Sequence, residues 1–156
     1  MKVMQEISKA YIAGIIDGEG CIHGHVGNIH KGYSTGGAID VRVTVEATSL
    51  TMIKTLQEFC DELGVSYSIY IGKMARRSTK PSHIIRITKR ECVKNFLKAL
   101  LPYLQVKRPE AEVVLEWIEK WGMDMRGTNS HKVRNIPTKE QREEFLFRLK
   151  ELKYVA

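Results

Sequence analysis

Residues 10–20 read A-Y-I-A-G-I-I-D-G-E-G, and no other stretch constrains the chain as strongly. An apolar helix built from small residues runs into two carboxylates, Asp17 and Glu19, placed between Gly18 and Gly20. Ala10, Ala13, Gly14 and Gly18 recur at helical spacing, so a second helix backbone can approach closely. Ala10, Ala13, Gly14 and, at the helix end, Asp17 form the expected contact between two copies of the chain. A D-G-E-G string alone reads as an exposed turn; the I-A-G-I-I ahead of it makes the composite specific. No second copy of the acidic string occurs, so a symmetric site needs a second chain.

The remaining sequence bounds what such a pair can do. At 156 residues the chain is long enough for a core of its own. Lys and Arg number 25 against 18 Asp and Glu, a formal charge of +7, which favours a polyanion such as nucleic acid over a membrane surface. The three cysteines, Cys21, Cys60 and Cys92, show no paired spacing and read as reduced thiols filling the core. No apolar run is long enough to span a bilayer and the N-terminus lacks a signal-peptide pattern. The expected place is inside the cell, in prokaryotic cytoplasm or nucleoid or in an organelle matrix.

Periodicity places the elements. Ser8 caps a helix over residues 9–16, with Gly18, Gly20 and Gly24 marking its end. Residues 21–29 suit a strand, and the turn-rich 31–37 suits a hairpin tip. Ile39, Val41, Val43 and Val45 alternate with Asp40, Arg42 and Thr44, as in a half-buried strand. Residues 49–63 return to helical spacing and stop at Gly64. A strand over 65–71 turns Tyr67, Ile69 and Ile71 inward, and a strand over 82–88 turns Ile85 and Ile87 inward. Helices follow over 91–101 and from Pro109 to 121, with Trp117 and Trp121 as core anchors. After a polar linker, Thr138 and Gln141 form a capping box for a last helix. The class is α+β with an antiparallel sheet: a core over residues 1–121, and a linker and helix over 122–156 packing on the same domain.

The outward strand positions carry the groups that read base edges: His23, His25, Asn28 and His30, then Asp40, Arg42 and Thr44, then Ser66, Ser68 and Tyr70, then Arg86. Loops supply phosphate-neutralising or polar residues: Lys31, Tyr33 and Ser34, and then Lys73, Arg76, Arg77 and Lys80. A charged strand face can also be merely solvated; four such strands beside basic loops favour a DNA platform. His23 and His25 share a face, as a transition-metal pair would, but no third ligand converges on them. Lys89, Arg90, Lys94 and Lys98, and the tail residues His131, Lys132, Arg134 and Lys139, suit flanking phosphates or solvent equally.

Residues 12–20, I-A-G-I-I-D-G-E-G, resemble the LAGLIDADG motif of homing endonucleases. The resemblance to single-motif members covers roughly residues 10–121; it includes D-E-L-G-V at 61–65, P-Y-L-Q-V-K at 102–107 and K-R-P-E-A at 107–111. It implies an αββαββα core whose four-stranded antiparallel saddle lies on DNA, in a homodimer with the motif helices at the two-fold axis. The implied activity is sequence-specific, metal-dependent phosphodiester hydrolysis, making a double-strand break with 3′ overhangs in a long pseudo-palindromic site. Mg²⁺ is the implied cofactor, with Ca²⁺ or Mn²⁺ able to substitute. Glu19, in place of the usual aspartate, would hold the metal, with the Gly18 carbonyl beside it. Lys107 would stabilise transition-state charge, and Asp17 would act at the helix end. Glu46, Thr48 or Ser49 would fill the polar position after the second strand. Two other roles on the same fold are an RNA maturase that assists intron splicing and a non-cleaving DNA-binding protein.

Overall fold

The computed structural model describes residues 6–26, 39–72, 80–121 and 137–154. The elements among them are α1 (Glu6–Glu19), β1 (Gly20–Val26), β2 (Ile39–Ala47), α2 (Leu50–Leu63), β3 (Ser68–Ile71), β4 (His83–Ile87), α3 (Arg90–Leu100), α4 (Arg108–Trp121) and α5 (Lys139–Tyr154). The strands form one antiparallel sheet in the order β1-β2-β4-β3.

α1 outruns the expected stop at residue 16. It continues through Asp17 and Gly18 to Glu19 and passes straight into β1. Gly18 therefore lies within the last helical turn; a Cβ there would meet no heavy atom within 4 Å. Glycine inside a helix costs only about 1 kcal/mol relative to alanine, and tertiary bonds to Asp17 hold this turn. Gly20 is where glycine is needed. A Cβ there would stand 2.6 Å from the Ile16 carbonyl oxygen and 2.9 Å from the Ile16 Cα, so the strand could not leave the helix so closely.

The alternation of β2 holds residue by residue: Ile39, Val41, Val43 and Val45 are at most 2% exposed. Each such burial stabilises by roughly 1.5–3 kcal/mol, which locks the register because a one-residue slip would expose all four. Ile22 from β1 and Ile85 and Ile87 from β4 complete the inner face. Against it lie Ile12, Ile16, Phe59, Phe96, Leu97 and Leu100 from α1, α2 and α3, with Phe59 edge-on to Phe96 at 5.6 Å.

Local signals set the helix ends. Ser49 Oγ accepts the Met52 amide, and Gly64 adopts the left-handed conformation at φ 69°. Pro109 occupies the first turn of α4, where its missing N–H costs nothing. Thr138 and Gln141 form the expected box in both directions: Gln141 N donates to Thr138 Oγ1, and Thr138 N donates to Gln141 Oε1. α5 then packs on α4 and β1, with the Phe145 ring stacked on Trp117 at 4.5 Å.

β3 departs from expectation. Its alternation suggested Tyr67, Ile69 and Ile71 as inward-facing, but β3 starts only at Ser68, and Ile69 and Ile71 are 39% and 75% exposed. β3 is the sheet edge beyond β4, and the helices do not cover it. Cys21 and Cys92 are also only partly buried, whereas Cys60 is core, and burial pushes its thiol up to about 12. Among the described residues no helix is long and apolar enough to cross a membrane.

Candidate active site and nucleic-acid interface

The last turn of α1 is tied to the connector between α3 and α4. Asp17 Oδ2 accepts the Gln105 amide and Oδ1 accepts the Lys107 amide, both at 2.9 Å. In return Lys107 Nζ donates to the Asp17 carbonyl oxygen at 2.6 Å. The structure thus brings Lys107 to Asp17, 90 residues away in sequence, at the helix end that carries Gly18 and Glu19. Asp17 is a clamp: both its carboxylate oxygens are engaged by backbone amides, which fixes where Lys107 stands. Glu19, one residue beyond Gly18, is exposed and makes no ion pair among the described residues.

Among the described residues no group of three or more His, Cys, Asp or Glu side chains converges as a ready metal cage. A cation at this helix end would depend on Glu19, backbone oxygen and ligands from outside the chain. The helix C-terminus favours positive charge through its dipole.

α1 exposes a narrower contact face than its small residues suggested. Ala10, Tyr11, Gly14 and Gly18 are exposed, but Ala13 is wholly buried in the chain's own core and cannot meet a second copy. Tyr11, 55% exposed, takes its place on the open side.

The sheet face away from the helices is polar. Antiparallel register aligns Cys21 with Thr44, His23 with Arg42 and His25 with Asp40. Thr44 continues to Arg86 and Ser68, and Glu46 to Ile84 and Tyr70. Arg86 lies over the Tyr70 ring at 5.2 Å. Arg42 donates to His25 Nε2 at 2.7 Å. The same Arg42 nitrogen lies 3.1 Å from His25 Nδ1, and Asp40 lies 3.9 Å from His25 Nε2. Arg42 Nε, Thr44 Oγ1 and Arg86 Nε have no hydrogen-bond partner among the described residues. Burial, then the charges of Lys153, Arg42 and nearby groups, lowers His23 to about 4.

Eight of the expected readers, His23, His25, Asp40, Arg42, Thr44, Ser68, Tyr70 and Arg86, therefore share one face. Ser66 does not: it precedes β3 and its Oγ pairs with Cys92 Sγ of α3 at 3.4 Å. Lys80 lies exposed ahead of β4. Asn28, His30, Lys31, Tyr33, Ser34, Lys73, Arg76 and Arg77 lie outside the described residues. Ser49, after β2, is committed as a helix cap, and Glu46, near the end of β2, accepts the Ser82 hydroxyl at 2.6 Å. A Cβ on Gly72 would collide with that Ser82–Glu46 pair.

Three participants were not expected here: Lys153 and Glu110 had no assigned role, and Cys21 was expected to fill the core. Cys21 sits on the polar face, a position its alternation with His23 and His25 could have revealed. Lys153, in the last turn of α5, donates to Cys21 Sγ at 3.7 Å across 132 residues of chain. Glu110, 7% exposed, lies in the first turn of α4 with no partner for Oε2 among the described residues; burial raises its carboxyl, opposed by the charges of Lys153 and Lys107.

Known structures share this fold. The homing endonuclease I-CvuI, solved with its DNA target in the presence of Ca, aligns over 96% of this chain and 97% of its own, at 23% identity and TM-score 0.58. The group I intron-encoded I-CeuI, complexed with DNA, aligns over 94% of this chain and 79% of its own, at 15% identity and TM-score 0.55. The archaeal I-Vdi141I, also complexed with DNA, aligns over 96% and 99%, at 13% identity and TM-score 0.55. At these identities the likeness establishes the fold. No curated protein matches the chain in sequence. The profile of the LAGLIDADG-like domain matches residues 6–100, more than half of the chain and inclusive of the acidic helix end and all four strands. The chain belongs to the LAGLIDADG-like domain family.

Proposed function

We propose that this chain is a divalent-metal-dependent DNA endonuclease that works as a homodimer and makes a double-strand break with 3′ overhangs. The carrying observation is the clamp that holds Lys107 beside the helix end bearing Glu19. Solved relatives of the same fold, I-CvuI and I-CeuI, are complexes with DNA, and I-CvuI is described with Ca and with Mg.

The residues fit Mg²⁺. It favours oxygen ligands, retains several waters and takes one or two carboxylates plus substrate phosphate. Glu19 offers an unengaged carboxylate at the cation-favouring end of α1, and Gly18 offers backbone oxygen next to it. When bound, the cation supplies charge neutralisation at the scissile phosphate and an activated water. Lys107 keeps two further N–H donors after its bond to Asp17 O, and these stabilise charge building on phosphate oxygens. Asp17 positions Lys107 and takes no proton. The sheet face lies over the major groove, with Arg42, Arg86 and the histidines reading base edges.

One chain supplies one Glu19 and one Lys107, so cutting both strands needs two chains. The exposed stripe Ala10–Tyr11–Gly14–Gly18 is the face that brings them together. No described residue favours the splicing or non-cleaving alternatives. The test is incubation with a randomised duplex library and Mg²⁺, followed by mapping of any cut ends. Paired nicks with 3′ overhangs, abolished by chelation, support this reading. DNA that stays intact at every metal and site contradicts it.

A further inference from the structure

β1 carries a short relay that ends on a base-reading position. Lys153 Nζ, an ammonium with donors only, lies 3.7 Å from Cys21 Sγ, so the sulfur is the acceptor there. Cys21 Sγ in turn lies 3.2 Å from His23 Nδ1. With one lone pair turned to the ammonium, the thiol still has its hydrogen to give to the imidazole, and in this relay Nδ1 accepts it. Burial and the charges of Lys153, Arg42, His25 and Arg86 disfavour a second ring proton. The remaining proton is then on Nε2, at the opposite side of the ring, and this nitrogen has no partner among the described residues.

We infer that Cys21 and Lys153 fix His23 as its Nε2–H tautomer, making His23 a donor-only reader of the bound duplex. A donor there suits base-edge acceptors, namely purine N7, guanine O6 or thymine O4, and rejects the amino group of cytosine. An unconstrained neutral histidine presents either a donor or an acceptor and discriminates less. Cys21 and Lys153 are thus positioning residues for specificity, acting through His23. The consequence for base choice rests on the DNA-facing assignment of this sheet; the tautomer itself does not.

The two parts are separable by experiment. Nitrogen-15 NMR of the histidine side chains in the full chain, without DNA, reads the tautomer directly. The expected wild-type spectrum shows His23 unprotonated at Nδ1 and protonated at Nε2 at neutral pH. Cys21→Ala and Lys153→Met are expected to give mixed tautomers, while Cys21→Ser retains the wild-type pattern. Binding to duplexes varied at single base pairs then reads the consequence. Cys21→Ala is expected to lose roughly fivefold of the preference at one base pair per half-site, the scale of one hydrogen bond, and Cys21→Ser to retain it. A wild-type His23 protonated at Nδ1, or a Cys21→Ala spectrum unchanged from wild type, overturns the relay. A fixed tautomer with unchanged base preference on bound DNA overturns the specificity role. Failure of the protein to bind any duplex contradicts the endonuclease reading, while the spectrum still decides the relay.

Discussion

Asp17 and Lys107 hold each other in both directions: the carboxylate of Asp17 accepts the Lys107 amide at 2.9 Å, and the Lys107 ammonium donates to the Asp17 carbonyl at 2.6 Å. The motif's first acid is therefore a fastener between the end of α1 and the entry of α4. Asp17→Ala leaves the amides of Gln105 and Lys107 without their acceptor. The expected cost is about 1–3 kcal/mol of stability, read by denaturant unfolding, with turnover reduced further because Lys107 loses its position. Lys107→Ala, by contrast, is expected to lower kcat about 100-fold while DNA binding holds. Equal turnover for Asp17→Ala and wild type would detach the clamp from catalysis.

Glu110 should make the protein less stable as pH rises. Burial holds its carboxyl above the ordinary value, so the folded state retains its proton where the unfolded chain has lost it. Its folded state is favoured at pH below the unfolded carboxyl value, and that advantage disappears as pH climbs through the raised folded value. Glu110→Gln removes the buried charge. It is expected to raise Tm at neutral pH by about 2–4 °C, equivalent to about 1 kcal/mol, and to leave Tm unchanged in acid. A lowered Tm at neutral pH would show that Lys107 and Lys153 hold the charge favourably.

His23 acts in the other direction. Its value falls from 6.5 to about 4 on folding, so the unfolded chain takes up a proton that the folded chain refuses. Stability from this group is complete above pH 6.5 and is lost as pH falls from 6.5 to about 4. The slope within that window is at most about 1.4 kcal/mol per pH unit. His23→Gln should flatten the acid limb of the stability curve there, as measured by urea titrations at several pH values.

Gly24 marks where α5 rests on the sheet. A Cβ there would stand 2.8 Å from a ring carbon of Phe145. Gly24→Ala should lift α5 from β1, costing about 1–3 kcal/mol, and should increase hydrogen exchange in α5 before α1 to α3. Phe145→Ala, which removes the obstacle together with its stack on Trp117, should expose α5 in the same order. Protection of α5 equal to wild type in Gly24→Ala would show that the ring accommodates the methyl group.

Much of the architecture was legible because it depends on local chemistry. The β2 alternation, the Ser49 and Gly64 caps and the Thr138–Gln141 box each follow from a period or a short-range bond. For β3, alternation says which residues share a face but not whether anything covers that face. The stop expected at residue 16 failed because Gly18 is compatible with a helical turn held by Asp17. Ala13 was assigned outward because small size suits both a helix contact and a tight core, and only packing separates the two. Cys21, Lys153 and Glu110 meet only once α4 and α5 dock against β1, a relationship that no spacing in the chain encodes.

The central claim is that Glu19 provides the carboxylate for metal-dependent strand cleavage while the sheet provides binding. Binding and cleavage of the selected duplex by wild type and Glu19→Gln, side by side with Mg²⁺ and with Ca²⁺, test it most directly. The expected result is unchanged duplex affinity for Glu19→Gln, with cleavage in Mg²⁺ reduced to background. Cleavage at the wild-type rate by Glu19→Gln would contradict the account.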